Sequence, residues 1–203
     1  MHAPAELFLA SSNTGKLAEF RVLGGDAALS GARLELLPGF AKIPAFEENA
    51  PTFGENALGK ALYYSRHSDG LVFADDSGLV VPALGGAPGV YSARYAGVGA
   101  SDAQRIAKLL AELAAVGASQ PEAYFVCVIA AARSGQALAV VSDRVDGRIA
   151  AEPRGDGGFG YDPIFFLPQW NRTFAELSPQ EKNRHSHRGK AFRRFLTALR
   201  GAA

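Results

Sequence analysis

The sequence predicts an α/β fold, because segments with the pattern of buried strands alternate along the chain with segments at helical spacing. Residues 6–10 form an apolar strand pattern, and residues 17–23 then place Leu or Phe at helical spacing before two glycines end the pattern. A second buried strand is predicted to end at residues 71–74. Apolar strands at residues 124–132 and 137–145 are joined by a short Ser-Gly connection, which predicts a β-hairpin.

Composition limits the class of protein. The 203 residues are 48% hydrophobic and 20% charged, as in ordinary globular proteins, and suffice for one large domain or two small lobes. The net charge of +1 gives no electrostatic reason for general binding to nucleic acid or a membrane. No apolar run reaches the ~20 residues of a membrane span, and the N-terminus lacks a signal-peptide pattern, so we expect a cytoplasmic protein. The single cysteine, Cys127, is expected to be buried.

The first predicted strand leads into a polar loop that opens the first helix. Residues 11–16 of this loop read SSNTGK. Backbone N–H groups at a strand–loop–helix junction can bind an anion, and Lys16 would add a positive charge. The loop is not a Walker A motif, since alanine occupies the position of its first glycine and leucine follows the lysine. Two interpretations stay open: a phosphate-binding loop, or a helix capped by Asn13 or Thr14.

A predicted strand at residues 34–37 is followed by a proline-containing loop that carries Glu47 and Glu48. Thr52 and Glu55 have the spacing of a capping box, in which the two side chains satisfy the first backbone donors of a helix. Glu55 is therefore interpreted as a cap. Glu47 and Glu48 have no capping role, and one of them is a candidate metal ligand.

Two adjacent carboxylates, Asp75 and Asp76, come directly after the strand pattern at residues 71–74 and are followed by Ser77. Neighbouring carboxylates repel each other, so a fold tolerates them best near a cation or a basic group. Mg²⁺ binds one or two carboxylates together with phosphate oxygens of a substrate. The motif indicates either a metal site or a turn in which the aspartates cap a helix or face solvent.

Turn and cap signals mark the middle of the chain. Residues 84–89 contain three Gly and one Pro, and Arg94 lies just beyond, where it either binds a phosphate or forms a surface ion pair. Ser101 begins a second capping box that opens an amphipathic helix. Asp146-Gly147 predicts a turn.

The last part of the chain carries a glycine-rich loop at residues 152–160, followed by Tyr161 and Asp162. Aromatic rings and a carboxylate at the end of such a loop suit stacking on a flat ring and hydrogen bonding to its edge. The alternative is a turn packed by two aromatic side chains. Ser178 begins a third capping box. The basic residues after it form either a solvated face or a ligand-binding cluster: Lys182, His185, His187 and Arg188.

Five motifs occur in order along almost the whole chain: SSNTGK, FEENAPTFGENALGKA, FADDSGLVVPALGGAPGVYSARYAG, GGFGYDPIFF and ELSPQEKNRHSHRGKA. Together they resemble the inosine triphosphate pyrophosphatase family, enzymes that remove deaminated purine nucleotides. The resemblance implies an elongated α/β fold, with a mixed sheet flanked by helices. Residues 1–203 would form a single domain of two lobes with the active-site cleft between them. It also implies Mg²⁺-dependent hydrolysis of ITP, dITP and XTP to the monophosphate and pyrophosphate, and a homodimer.

The resemblance further implies roles for individual residues. Asp76 matches the catalytic general base and a metal ligand, and Glu48 matches a metal-associated acid, with Glu47 as the alternative. Fifteen positions match substrate contacts: Ser11, Ser12, Asn13, Thr14, Gly15, Lys16, Lys60, Ser77, Phe159, Gly160, Tyr161, Asp162, Lys182, His187 and Arg188.

Two rival functions stay open at this level. One is a pyrophosphatase for other modified nucleotides on a related fold, and the other is a non-catalytic nucleotide sensor. The presence of Lys16, Glu48, Asp75 and Asp76 argues against the sensor.

Overall fold

A computed structural model describes residues 5–25 and 32–201 and contains one seven-stranded sheet. The strands in chain order are β1 (Ala5–Leu9), β2 (Ala32–Leu36), β3 (Leu71–Val80), β4 (Glu122–Arg133), β5 (Gln136–Ile149), β6 (Phe165–Leu167) and β7 (Arg172–Thr173). The α-helices are α1 (Thr14–Gly25), α2 (Phe53–Tyr64), α3 (Asp102–Ala115), α4 (Pro179–His185) and α5 (His187–Gly201). Within the described ranges, no helix is long and apolar enough to cross a bilayer.

The sheet is mixed, with the strand order β2-β1-β3-β4-β5-β6-β7. β1 pairs in parallel with both β2 and β3, whereas β6 pairs antiparallel with both β5 and β7. β4 and β5 are neighbours joined by Ser134 and Gly135, whose φ angles of 49° and 78° fit a two-residue hairpin turn. The expected mixed sheet with flanking helices and the β4–β5 hairpin are therefore confirmed.

The prediction of a turn at Asp146-Gly147 is wrong. Both residues lie inside β5, which continues to Ile149. A Cβ atom on Gly147 would lie 2.6 Å from the carbonyl oxygen of Phe166 and 2.8 Å from the ring of Phe165. The glycine is required for the close approach of β6, and this approach depends on tertiary structure rather than on local turn chemistry.

The prediction that Asp75 and Asp76 follow the end of their strand is also wrong. β3 continues through both aspartates to Val80, and both carboxyl groups are buried. Their charge is balanced by basic groups and a hydrogen-bond donor supplied by distant parts of the chain, so the polar pair does not end the strand.

Contacts divide the chain into two compact units. Unit 1 takes its residues from 1–76, 127–143 and 188–203, and unit 2 from 77–126 and 144–187. That residues 1–203 form a single domain, with an active-site cleft between two lobes, stays a prediction.

Unit 1 has an apolar cluster on each face of its part of the sheet. One cluster contains Phe73 and Cys127 with Phe20 of α1 and Phe192 of α5. The other contains Val72, Ala74, Val128 and Ala130 with Ala57 and Ala61 of α2. Cys127 is fully buried, as expected.

Unit 2 has a separate core. α3 contributes Ile106, Leu109 and Leu113, which pack with Phe125, Phe165 and Phe174. The side chain of Ser101 accepts a hydrogen bond from the N–H of Gln104, which confirms the predicted capping box at the start of α3.

Candidate active site

The two adjacent aspartates point to opposite faces of β3, because successive side chains alternate along a strand. Asp75 shares its face with Phe73, on the side where α1 and α5 supply core residues. Asp76 shares its face with Val72 and Ala74, on the side of α2. The two carboxylates are therefore neighbours in sequence that have different surroundings.

Asp75 is fully buried among positive groups. Its Oδ2 atom lies 2.9 Å from Lys16 Nζ and 3.6 Å from Arg188 Nε. Arg188 forms a second ion pair, with Glu19 of α1. Burial would raise the pKa of Asp75, but the charges of Lys16, Arg188 and Lys60 outweigh burial and hold that pKa at about 2. Asp75 is therefore an anion across the neutral range of pH.

Asp76 has a different electrostatic environment. It is 5% exposed, and its Oδ2 atom accepts a hydrogen bond from Asn56 Nδ2 at 3.1 Å. Burial raises the pKa of Asp76, and the charges of Glu48 and Asp75 add to the rise. Lys16 and the hydrogen bond from Asn56 act in the other direction, and the resulting pKa is about 6. A carboxylate with this pKa can accept a proton close to neutral pH.

Two lysines converge on one backbone oxygen beside these carboxylates. Lys16 Nζ and Lys60 Nζ each lie 3.5 Å from the carbonyl oxygen of Asp75. Lys60 also forms an ion pair with Glu48. Burial lowers the pKa of Lys60, but the nearby charges of Glu48, Asp75 and Asp76 more than compensate and raise it. Two ammonium groups this close together can bind phosphate oxygens.

The N-terminal loop has the predicted strand–loop–helix geometry. Asn13 Oδ1 accepts a hydrogen bond from Lys16 N at 3.0 Å, so Asn13 caps α1. Ser11 is buried, and its Oγ atom accepts a hydrogen bond from Asn13 N at 3.3 Å. The first turn of α1 has no acidic residue, so its N-terminal dipole favours an anion. The other loop residues are exposed or half-buried: Ser12, Thr14 and Gly15.

Asn56 is a site residue that sequence reasoning missed. It is 1% exposed, its Nδ2 donates to the carbonyl oxygen of Ala50 at 3.3 Å, and its Oδ1 accepts from Ala50 N at 3.0 Å. Ala50 is two residues after Glu48. One amide side chain therefore orients Asp76 and fixes the loop that carries Glu48. The available signal was an asparagine beside Ala57, on the buried side of α2.

The remaining acidic candidates have different surroundings. Glu47 is exposed and accepts a hydrogen bond from Asn49, whereas Glu48 interacts electrostatically with Asp76. Glu55 accepts a hydrogen bond from the Thr52 hydroxyl at 2.6 Å, which confirms that it is a cap. Of the two glutamates in this loop, Glu48 is the one whose charge raises the pKa of Asp76.

A second cluster of predicted site residues lies in unit 2. Asp162 Oδ2 accepts a hydrogen bond from Phe159 N at 2.8 Å and forms an ion pair with Lys182. The Lys182 ammonium group lies 4.8 Å from the centre of the Phe159 ring, within the range of a cation–π contact. Gly158 has a φ of +73°, and a Cβ atom there would lie 2.0 Å from Asp162 Oδ2. Glycine at this position allows the loop to close over the carboxylate.

The other predicted contacts in unit 2 are placed as follows. Tyr161 is buried in the core, and its hydroxyl donates to the carbonyl oxygen of Ser92 at 3.0 Å. Gly160 N donates to Asp102 at 2.7 Å. His187 stacks on Phe125, with ring centres 4.7 Å apart. Ser77 is half-buried in β3, and Arg94 lies over the ring of Tyr91 at 5.1 Å. Their roles in binding stay predictions.

Comparison with known proteins gives concordant matches. A profile of the Ham1 family matches residues 7–198. A dITP/XTP pyrophosphatase of Geobacillus kaustophilus is 51% identical over 186 residues, which cover 92% of this chain and 90% of that protein. The solved structure of a HAM1 protein from Coxiella burnetii superposes with a TM-score of 0.86 at 44% identity, and covers 97% of this chain and 99% of that one. A dITP/XTP pyrophosphatase structure from Mycobacterium abscessus has a TM-score of 0.70 at 40% identity, and covers 96% and 99%.

Proposed function

Because the chain belongs to the Ham1 family, we propose that it is a dITP/XTP pyrophosphatase. It hydrolyses the deaminated purine nucleotides ITP, dITP and XTP to the monophosphate and pyrophosphate, and so removes them from the nucleotide pool. The observation that carries the proposal is the arrangement in unit 1, where Asp76 and Glu48 lie beside the converging ammonium groups of Lys16 and Lys60.

The donor set suits Mg²⁺ as the cofactor. The proposed ligands are carboxylates, the donors that Mg²⁺ prefers: Asp76 is buried, and the charge of Glu48 acts on it. Within the described part of the chain, no group of three His, Cys, Asp or Glu side chains could hold a metal. Mg²⁺ needs only one or two carboxylates when substrate phosphates supply other ligands. Asp76 and Glu48 would hold the ion, which when bound neutralises phosphate charge and activates water.

The side chains of unit 1 would then perform complementary tasks. Lys16, Lys60 and the N-terminus of α1 bind the triphosphate and offset its charge. Asp76 accepts the proton of the attacking water or orients that water, a role that suits a carboxyl group with a pKa of about 6. Such catalysis rests mostly on positioning and on charge stabilisation.

Selection of the base would rest on hydrogen bonding to O6. A buried donor that faces O6 would be left unpaired opposite the amino group of adenine, at a cost of ~1–3 kcal/mol per contact. The candidates for this donor are His187, Arg188 and a backbone N–H. The Arg188 guanidinium already pairs with Glu19 and Asp75, so of the two side chains we favour His187, whose ring is held by stacking on Phe125.

The decisive experiment is pyrophosphate release from ITP, dITP and XTP beside ATP and GTP, with and without Mg²⁺. We expect rapid release from the deaminated nucleotides only, and only with Mg²⁺. Preference for dUTP or methylated nucleotides would instead support the first rival function. Binding of ITP without pyrophosphate release would establish a sensor.

The resemblance also supports a homodimer and a cytoplasmic location as proposals. Light scattering of the purified protein should give the mass of two chains, and a mass of one chain would contradict the dimer.

A further inference from the structure

We propose that Asp75 is a positioning residue that fixes the phosphate-binding lysine, Lys16, against β3, and that it is not a ligand of the metal. The inference rests on the proposed function, because the task assigned to Lys16 is binding of the triphosphate. It gives the two neighbouring aspartates separate tasks.

Asp75 and Asp76 point in opposite directions from β3. Asp75 points to the face of β3 that carries Phe73 and Cys127, and Cys127 Sγ lies 3.9 Å from Asp75 Oδ2. Asp76 points to the other face, towards Asn56 of α2. Hydrogen bonds between Asn56 and Ala50 hold the loop that carries Glu48 on the same side as Asp76. Asp75 is therefore not one of the carboxylates that would hold the metal, Asp76 and Glu48.

Two side chains of α1 connect to Asp75, one directly and one through Arg188. Lys16 contacts the carboxylate directly at 2.9 Å. Glu19, three residues later on the same face of α1, pairs with Arg188, whose Nε lies 3.6 Å from the same Oδ2 atom. A fully buried carboxylate in the middle of a sheet strand thus holds α1, directly through Lys16 and indirectly through Arg188 and Glu19.

Lys16 can contact Asp75 and a ligand at the same time. An ammonium group has three N–H donors, and its contacts with the carboxylate and the carbonyl oxygen of Asp75 use two of them. The Lys16 side chain is 12% exposed, so it keeps access to a ligand while its direction is restricted. A fixed lysine loses less conformational entropy when it binds a phosphate than a mobile one does.

The test is the Asp75→Asn variant, which keeps the shape of the side chain and removes its charge. We expect the KM for dITP to rise roughly 10- to 100-fold, as for a misplaced binding group, with a smaller change in kcat. Inorganic tripolyphosphate, which lacks a base, should bind more weakly by a similar factor in calorimetry. The Mg²⁺ concentration for half-maximal activity should stay within about twofold of wild type.

The matched control is Glu35→Gln, which removes the carboxylate of an exposed ion pair with Arg33 in the same unit. It should change none of these values. In the background of Lys16→Met, Asp75→Asn should add little further loss of tripolyphosphate binding, because the lysine that it positions is gone. If the double variant instead lost tripolyphosphate binding by the product of the two single-variant factors, the two residues would act independently and the proposal would be overturned. An Asp75→Asn enzyme with unchanged tripolyphosphate binding and a raised Mg²⁺ requirement would also overturn it.

Two further measurements keep the role of Asp75 testable if the proposed function is wrong or if Asp75→Asn does not fold. If the wild-type protein releases no pyrophosphate from dITP, the proposed function fails, but tripolyphosphate binding still tests Asp75. If Asp75→Asn does not fold, Lys16→Met should unfold at a lower temperature than the exposed-lysine control Lys42→Met, because it leaves Asp75 with fewer cations. Equal unfolding temperatures would overturn the proposal.

Discussion

Asp75 and Asp76 illustrate how position decides the chemistry of identical side chains. Burial acts on both carboxyl groups and would raise both pKa values. Three basic side chains reverse that effect for Asp75 and hold its pKa at about 2, whereas Asp76 faces a further acid and reaches about 6. A carboxylate of depressed pKa binds cations as a permanent anion, whereas one with a pKa near neutrality can exchange protons. The two pKa values are therefore consistent with the proposed roles, positioning for Asp75 and proton transfer for Asp76.

Replacement of Asp76 by asparagine should abolish turnover and leave the fold intact. The change keeps the acceptor for Asn56 Nδ2 but removes the negative charge and the proton acceptor. We expect kcat for dITP to fall at least about 100-fold, the lower range for loss of a general base. Pyrophosphate release and circular dichroism measure the two effects. Asp69→Asn, at an exposed carboxylate before β3, is the control, and near wild-type turnover of Asp76→Asn would refute its role.

Replacement of Asn56 by alanine should affect both stability and activity. It removes the donor to the buried Asp76 carboxylate and both hydrogen bonds to the half-buried backbone of Ala50. We expect a loss of about 1–3 kcal/mol in the free energy of unfolding, and about a 10- to 100-fold loss of activity or metal affinity. Denaturant unfolding and a Mg²⁺ titration measure these effects. The control is Asn49→Ala, at an exposed residue of the same loop, which should lower neither the free energy of unfolding nor the activity. Losses as large as those of Asn56→Ala would contradict the role assigned to Asn56.

At the scale of elements, the sequence predicted those features that depend on nearby residues. Helix starts at Thr52, Ser101 and Ser178 followed from side chains that bond three positions away, and the structure contains those bonds. Features that depend on distant residues were missed or misplaced. The aspartate pair and Gly147 have the local composition of turns, and the sequence predicted that a strand ends before each of them. It could not reveal the cations near Asp75 or the carbonyl oxygen that approaches Gly147, because both come from distant parts of the chain.

The cap of α4 should make stability depend on acid pH. The backbone N–H and the hydroxyl of Ser178, followed by Arg172, hold the pKa of Glu181 at about 2. A depressed carboxyl pKa contributes stability above the unfolded value of about 4.3, and this contribution is lost as pH falls through the folded value. Glu181→Gln should therefore be less stable than wild type at pH 7, with a difference that narrows between about pH 4 and pH 2.

Denaturant unfolding across this range measures the effect. The control is Glu152→Gln, at an exposed glutamate in the glycine-rich loop of the same unit. At pH 7 its free energy of unfolding should differ from that of wild type much less than that of Glu181→Gln does. If the difference in the free energy of unfolding between Glu181→Gln and wild type grew as the pH fell, the role of Glu181 as a cap would be contradicted.

At the scale of the whole molecule, the predicted site residues form two clusters of unlike character. Unit 1 supplies carboxylates, two lysines and a helix N-terminus, which suit a metal and phosphates. Unit 2 supplies the Phe159 ring, the Asp162–Lys182 pair and stacked His187, which suit a flat, hydrogen-bonding ring. The chemistry of each cluster corresponds to one part of a nucleotide, the triphosphate for unit 1 and the base for unit 2.

Mg²⁺ should stabilise the whole chain even without a nucleotide, because the carboxylates of Asp76 and Glu48 would hold the ion in the folded state. An ion that binds only the folded state adds about 1.4 kcal/mol when present at ten times its dissociation constant. We expect thermal unfolding to shift upwards with MgCl₂, measured against NaCl at matched ionic strength. Asp76→Asn should remove most of the shift, whereas Asp75→Asn should retain it because Asp75 points away from the proposed metal ligands. An equal shift in NaCl, or one that survives Asp76→Asn, would show that the ion acts elsewhere.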